Sequence, residues 1–447
     1  VPPPQSLQLN SESAGAARIF IYAFPLLLMD IIRRAHPVAP HQFQIVSESA
    51  ALAPGLQDDD PRAIVTSAWV DVAHGPVAVR LPPTGGRHYS LTLIDTAGEI
   101  FASFGTRTRV DAVENVAVVG PNWHGELPAG LTAKRSPSNR FWAVGRCYAH
   151  SALDRKPALA VVRRQAISDV ETRIERLDVA QLETPSTPCA QQALDMASDV
   201  FFHRLGGVLD GGPPRHTAVT MIETLLEGMG ASGVRASWTP EFAAAVEQGV
   251  RKGHALLNAA AALAMRSGRG AAVLRLSSAS SWGDAQAWAA NALRALGAPA
   301  PQDLLFLESE FDSDGRMLTG ESSYRIRLRG DAMPPARAFW WLYTLPSPAH
   351  RHPRGLGDRS DLLVNRDGSV DILVQAAPPA DAHQVNWLPT PSGAFSLNIA
   401  LHWPLPAALS GAWRLPPVEL VRDAPRDGAA EGRANDLSKW KSRPWKG

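Results

Sequence analysis

Residues Glu310 to Glu321 read EFDSDGRMLTGE, with acidic side chains at the first, third and fifth places, Gly315 at the sixth and Glu321 at the twelfth. That is the spacing of a calcium-binding EF-hand loop. Three features oppose it: Glu310 stands where Asp is preferred, Arg316 brings a cation beside any ion, and the flanks LLFL and YRIRLRG are strand-like. A hairpin turn at Asp314-Gly315, joining the two strand-like flanks, is the better reading. Asp58, Asp59 and Asp60 are consecutive, and neighbouring side chains rarely converge on one ion, so a solvated loop is expected there. His36 and His41 flank a proline-containing turn, and His350-Arg351-His352 has the H-x-H spacing used on the strands of metal-binding jelly rolls. The latter pair lies among prolines and glycines instead of on a strand. There is no H-E-x-x-H, G-x-S-x-G or phosphate loop, and no G-x-G-x-x-G between a strand and a helix. No metal and no cofactor are therefore expected. A metal-dependent enzyme of jelly-roll type, using His350, His352 or the acidic loops, stays as an alternative.

The bulk numbers exclude several classes. The 447 residues suffice for two or three cores, and 45% apolar with 19% charged residues describe a globular chain. Lys and Arg number 44 against 43 Asp and Glu, so no global field recruits nucleic acid or an anionic surface. The longest apolar run, Ile19 to Ile32, contains Asp30 and falls short of the roughly 18 residues that a membrane span requires, so no membrane insertion is expected. The chain opens on Val1 instead of Met, which agrees with a removed signal peptide and a periplasmic or secreted location, or with trimming. Cys147 and Cys189 are the only cysteines; they allow one disulfide, but an apparent buried strand around Cys147 also suits a free thiol.

Elements follow from periodicity. Residues 1–13 are expected as a flexible arm. ARIFIYAFPLLLMDIIRRA from Ala14 has a helical period, with Pro25 inside it and His36-Pro37 as the stop. Tyr22, Leu26, Met29 and Arg33 share one side of that helix. The plain reading packs it on a β domain, and the functional one has Tyr22 or Asp30 lining a pocket. With that helix, the first β domain spans 14–165: AIVTSAWVDV, VAVRLP, HYSLTLID, IFASFG, VAVVG and RFWAVGRCYA are short runs parted by Gly- and Pro-containing turns, the pattern of a sandwich or barrel. VDVAHGPVAVRLP and RHYSLTLIDTAGEIFASF read as hairpins. A helical linker region is expected over 166–300, with Thr239-Pro240-Glu241 as a strong helix start. A second β domain covers 301–421, in which Asp367-Gly368 between LLVN and VDILVQ signals a hairpin. An exposed tail, 422–447, carries Trp440 and Trp445 among basic residues.

The best-defined segments also carry a resemblance. YAFPLLLMDIIRR, SAWVDVAHGPVAVRLP, IFASFGTRT, VVGPNWHGELPAG and SPSNRFWAVGR resemble the N-terminal half of a bacterial two-part family. NRDGSVDILVQ, NWLPTPSGAFSLNIALHWP and GAWRLPPV resemble its C-terminal half. The halves are known as domain-of-unknown-function families 1254 and 1214. The resemblance implies two jelly-roll-like β domains with helical segments and an oligomeric, exported protein. The fold class expected is thus α+β, with two antiparallel β-sandwich (jelly-roll-like) domains separated by a helical segment. Members carry P-N-x-D-T-L-Y-S before the matched Ala68-Trp69, where this chain has Asp59 to Thr66.

Polar residues inside the matched motifs are the candidate ligand-binding set: Arg107, Arg146, Asp358, Arg359 and Asn386, with Trp142 and Trp387 beside them. An Arg held by a β scaffold next to a Trp binds a carboxylate or a sugar through paired hydrogen bonds and stacking. The same residues also serve as buried ion pairs and loop braces. The function expected is binding or processing of a small organic or carbohydrate-like ligand in an aromatic-lined cleft between the β domains. An oligomeric scaffold without catalysis is the rival.

Overall fold

A computed structural model describes residues 5–36, 40–46, 53, 56, 60, 62–108, 113–129, 131, 133–170, 181–182, 187–211, 217–229, 238–266, 272–273, 282–346, 355–379 and 382–421. The chain forms two compact units, the first from Val1–Asp58, Arg62–Ala264 and Arg275–Ala300, the second from Asp59–Pro61, Met265–Leu274 and Pro301–Gly447. Both mix helices with mostly antiparallel sheets, so the protein is α+β.

The first unit opens with helix α1 (Gln5–Ala35), then strands β1 (Gln44–Val46), β2 (Ala63–Asp71), β3 (Val77–Leu81), β4 (Tyr89–Asp95), β5 (Ile100–Gly105), β6 (Glu114–Val119), β7 (Ala133–Arg135) and β8 (Arg140–Tyr148). After α2 (Arg155–Val162), β9 (Ala166–Asp169) and β10 (Gln181–Leu182) come α3 (Cys189–Leu194), α4 (Ser198–Asp210), α5 (Thr217–Gly228) and α6 (Pro240–Arg266). Strand β11 (Ala272–Val273) belongs to the second unit, and α7 (Trp282–Ala295) returns to the first. One sheet has the order β10-β1-β2-β8-β4-β5 and the other β7-β6-β3-β9.

The central sheet explains why β2 and β8 read as nearly continuous apolar runs. Strand side chains alternate between faces. Val65, Trp69, Trp142 and Val144 share a core with α1 and its neighbouring helices, whereas Ile64, Ala68, Val70, Phe141 and Ala143 share another with the four-stranded sheet. Helix α1 is apolar around most of its circumference, and such a helix must be covered on every side. It packs against α3, α4, α5 and α7. The helices expected as a linker over 166–300 are therefore part of the first unit: without them α1 would expose much of its apolar surface. The helix begins at Gln5, upstream of the apolar period, because QSLQLNSES contains no breaker. At this length, Ser11–Ala35 meets the size and composition of a membrane span, but it is mostly buried inside the protein.

Close approach accounts for two glycines of α6. A Cβ on Gly249 would stand 2.4 Å from the Ser13 carbonyl oxygen, and one on Gly253 2.9 Å from Phe20, both in α1. Thr239 caps α6 as its position suggests, its hydroxyl accepting the Phe242 N–H at 3.2 Å.

Unit two contains β12 (Leu304–Ser309), β13 (Tyr324–Leu328), β14 (Ala336–Pro346), β15 (Gly355–Gly357), β16 (Val370–Gln375), β17 (Trp387–Pro389), β18 (Phe395–Pro404), α8 (Pro406–Leu409) and β19 (Val418–Leu420). Its sheets, β11-β12-β18-β14-β15 and β17-β16-β13-β19, share one apolar core.

Several expected hairpins resolve differently. Strands β4 and β5 form the hairpin read from RHYSLTLIDTAGEIFASF. By contrast, β2 and β3 lie in different sheets, and so do β12 and β13. The turn residues between them reverse or offset the chain without pairing the strands that they join. Asp367-Gly368 does make a tight turn, with Gly368 at φ 79°, yet no strand precedes it. There the backbone of Leu363 is satisfied by a side chain, Asn386, instead of a neighbouring strand. The acidic stretch at Asp312 is a loop whose carboxylate accepts the N–H groups of Asp314 and Arg316, with the Arg316 guanidinium at 2.8 Å from Asp314.

Candidate functional site

A cavity of about 210 Å³ opens in the first unit, and four elements wall it. From α1 come Leu26, Met29, Asp30, Arg33 and Arg34, the i, i+3, i+4 spacing that puts them on one helix face. Strands β2 and β8 contribute Trp69, Asp71 and Arg140. Helix α4 supplies Gly207 and Val208, with Gly211 just beyond it.

Antiparallel register builds the strand wall. Asp71 pairs with Arg140, and Trp69 with Trp142. Arg140 donates from Nε to Asp71 at 2.8 Å. The two indoles stack with centroids 6.1 Å apart and planes 9° apart. Trp142 donates its indole N–H to the Ser67 hydroxyl at 2.8 Å, and that hydroxyl lies 3.1 Å from His36 Nε2. The Trp69 indole N–H is different: the side chain is 5% exposed, and its nitrogen has no hydrogen-bond partner among the described residues. His41 holds this wall from behind in a left-handed conformation, φ 73°. Its N–H donates to the Trp69 carbonyl at 2.7 Å and its Nε2 sits against the Asp71 backbone. A non-glycine residue there stores strain of about 1–3 kcal/mol, which the surrounding contacts must offset.

Charge is concentrated on the helix wall. Asp30 accepts from Arg33 at 2.8 Å, Arg34 at 2.8 Å and Arg204 at 2.9 Å. Burial pushes the Asp30 carboxyl up, but hydrogen bonds from Arg33, Arg204 and Arg34 outweigh it and leave the pKa below the ordinary value. Asp71 behaves likewise: burial raises it, while the Ala73 N–H and Arg140 bring it below normal. Both carboxylates are thus held ionised.

The residues expected from the matched motifs fall elsewhere or take supporting places. Trp142 is fully buried and reaches the cavity only through Trp69. Arg146 is 1% exposed and donates to the Gly297 carbonyl at 2.9 Å. Gly297 has φ 93° and lies so near Trp142 that a Cβ would approach the ring to 2.8 Å. Arg107 is half-buried in the turn after β5. In the second unit, Asn386 accepts from Leu363 N–H and donates to the Leu363 and Asp371 carbonyls. Trp387 donates to Gln375. Asp358 lies near the Trp340 N–H, and the Arg359 guanidinium stacks 4.4 Å over Phe339. Tyr22 is buried, whereas Asp30 does line the cavity. Trp69, Asp71, Arg140, Arg34 and Gly207 were not singled out by sequence; the available signal was the pairing of W-x-D in β2 with R-x-W in β8. Among the described residues no group of three or more His, Cys, Asp and Glu side chains could hold a metal. His350, His352, Asp58 and Asp59 lie outside them, as does the tail from 422.

Fold and site together define a two-unit α+β protein with a polar pocket in its first unit. Residues 60–169 match the family described as protein of unknown function (DUF1254), and residues 303–406 match protein of unknown function (DUF1214). The chain thus carries a match to each of these two domains, in that order. It is similar in structure to the VPA0106 protein of Vibrio parahaemolyticus, with 21% identity, a TM-score of 0.63, and coverage of 93% of this chain and 99% of that one. At that identity the likeness concerns the fold alone. An uncharacterised protein of Burkholderia cenocepacia matches with 14% identity and a TM-score of 0.45 over 94% of this chain and 96% of that one. No curated protein matches the sequence.

Proposed function

We propose that the protein binds a small organic molecule in the cavity between α1, α4 and the β2–β8 wall of its first unit. The observation that carries this reading is Trp69, whose ring lines the cavity and whose indole N–H is buried with no hydrogen-bond partner among the described residues. An unsatisfied buried donor costs about 1–3 kcal/mol, so a molecule whose entry turns the Trp69 ring and offers its N–H an acceptor gains what the described residues do not supply. Leu26, Met29 and Val208 give the cavity an apolar side, and the arginines and aspartates give it a polar one, the usual composition of a ligand site. Trp142 belongs to this proposal as the ring that fixes Trp69, and Arg146 as the brace of Gly297 behind Trp142.

Gly207 provides the test. It is exposed, and a Cβ there would meet nothing within 4 Å, so larger side chains are tolerated. Gly207→Ala is expected to stabilise the helix by about 1 kcal/mol; Gly207→Phe fills the cavity mouth. Native mass spectrometry of protein purified without chelator should find a co-purifying small molecule in the unaltered protein and in Gly207→Ala, but not in Gly207→Phe. Equal retention by all three would count against the pocket.

The same reading keeps an exported location, oligomeric assembly and a jelly-roll-like sandwich in each unit, the last supported by sheets that share a core. Fractionation of the source cells and the subunit count in the same mass spectra test the first two.

A further inference from the structure

We propose that the ligand of this pocket is a small organic acid, bound through its carboxylate; this rests on the reading of the cavity as a ligand site. Four guanidinium groups, those of Arg33, Arg34, Arg140 and Arg204, surround two carboxylates, Asp30 and Asp71, which their partners hold ionised. The surplus is two positive charges. The C-terminal ends of α1 and α4 oppose it with about half a charge each, which leaves the site cationic.

How the guanidiniums are used matters as much as their number. Each commits one N–H group to its carboxylate: Arg33 through Nη2, and Arg34, Arg140 and Arg204 through Nε. A guanidinium carries five donors in a planar fork, and its preferred partner is an oxyanion that takes two of them together. Arg34 and Arg140 are the more exposed pair, at 61% and 56%, and they can turn toward an entering anion without breaking the inner Asp30–Arg204 pair. The size of the cavity restricts the rest of the molecule. About 210 Å³ accommodates a short aliphatic or single-ring skeleton, which would rest against Leu26, Met29 and Val208. The skeleton would also rest against the Trp69 ring, and an acceptor on it would reach the indole N–H once that ring turns toward the cavity.

Matched pairs that differ only in charge decide the question: butanoate against butanamide and benzoate against benzamide. Affinities come from calorimetry at low salt, and contact with the wall from the Trp69 indole N–H resonance, assigned with Trp69→Phe. The acids should bind at least about tenfold more tightly than their amides, lose affinity as salt rises, and shift the Trp69 resonance. Arg34→Gln and Arg140→Gln should each weaken the acids by roughly tenfold while leaving the amides unchanged. If the amides bind as well as the acids, and Gly207→Phe abolishes both, the charge assignment is wrong and the pocket stands. If neither class moves the Trp69 resonance, the pocket reading falls with it.

Discussion

Asn386 does with one amide what a paired strand does with a backbone, since it accepts from Leu363 N–H at 2.8 Å and donates to the carbonyls of Leu363 and Asp371. Asn386→Ala removes three hydrogen bonds from partly buried backbone groups and should destabilise the protein by about 3 kcal/mol in urea unfolding. A loss below about 0.5 kcal/mol would show the brace to be redundant. His36 sets a second expectation. Burial lowers its pKa from 6.5 to about 4, partly opposed by hydrogen bonding at Ser67. A base held neutral in the folded state takes up a proton more readily when unfolded. Its contribution is therefore complete above about pH 6.5 and declines as pH falls toward 4, by about 3 kcal/mol in all. Unfolding free energies at pH 7.5 and 4.5 should converge in His36→Gln relative to the unaltered protein; an identical pH slope in both would exclude His36 as the source. The candidate site was only partly legible at this scale. The helical spacing of Leu26, Met29, Asp30 and Arg33 can be read from the chain, but Asp71 and Arg140 are 69 residues apart, and only the register of β2 on β8 makes them neighbours.

Among the elements, α1 and α6 approach where side chains are smallest. Gly249→Ala would force a methyl group against the Ser13 carbonyl oxygen. Because backbone cannot turn aside as a side chain can, the helices must separate, at a cost of about 1–3 kcal/mol. That outweighs the gain of about 1 kcal/mol in helix propensity. Thermal unfolding should therefore show Gly249→Ala below the unaltered protein and Gly207→Ala above it; the reverse order would mean that the α1–α6 crossing is looser than described. The same scale shows where sequence reading stops. Helical periods and β runs locate most elements, because alternation and the 3.6-residue repeat are local properties. Which sheet a strand joins is not local. VDVAHGPVAVRLP has all the marks of a hairpin, yet β2 is drawn to β1 and β8, and β3 to β6 and β9.

At the scale of the whole molecule, the buried apolar clusters fall into two sets that share no residue, one set in each unit. Separate cores unfold as separate cooperative systems unless something else couples them. Scanning calorimetry is expected to resolve two transitions, with Asn386→Ala lowering one and Gly249→Ala the other. A single transition whose van't Hoff and calorimetric enthalpies agree, displaced equally by both substitutions, would contradict that independence. The class of fold was legible because both halves carry long matched motifs. The placement of the middle helices was not, since a helix packed on α1 and a helix linking two domains have the same amphipathic pattern.

Cys147 and Cys189 are both free and buried, the first in the core between the sheets of unit one, the second in the layer around α1. Burial pushes their pKa values up to about 12 and about 11, so neither is a useful nucleophile in the closed protein. Each acquires ordinary reactivity when its own layer opens. Followed with an alkylating reagent, the two sulfur atoms become built-in clocks that time, separately and without any label, how often the sheets part and how often the helices lift.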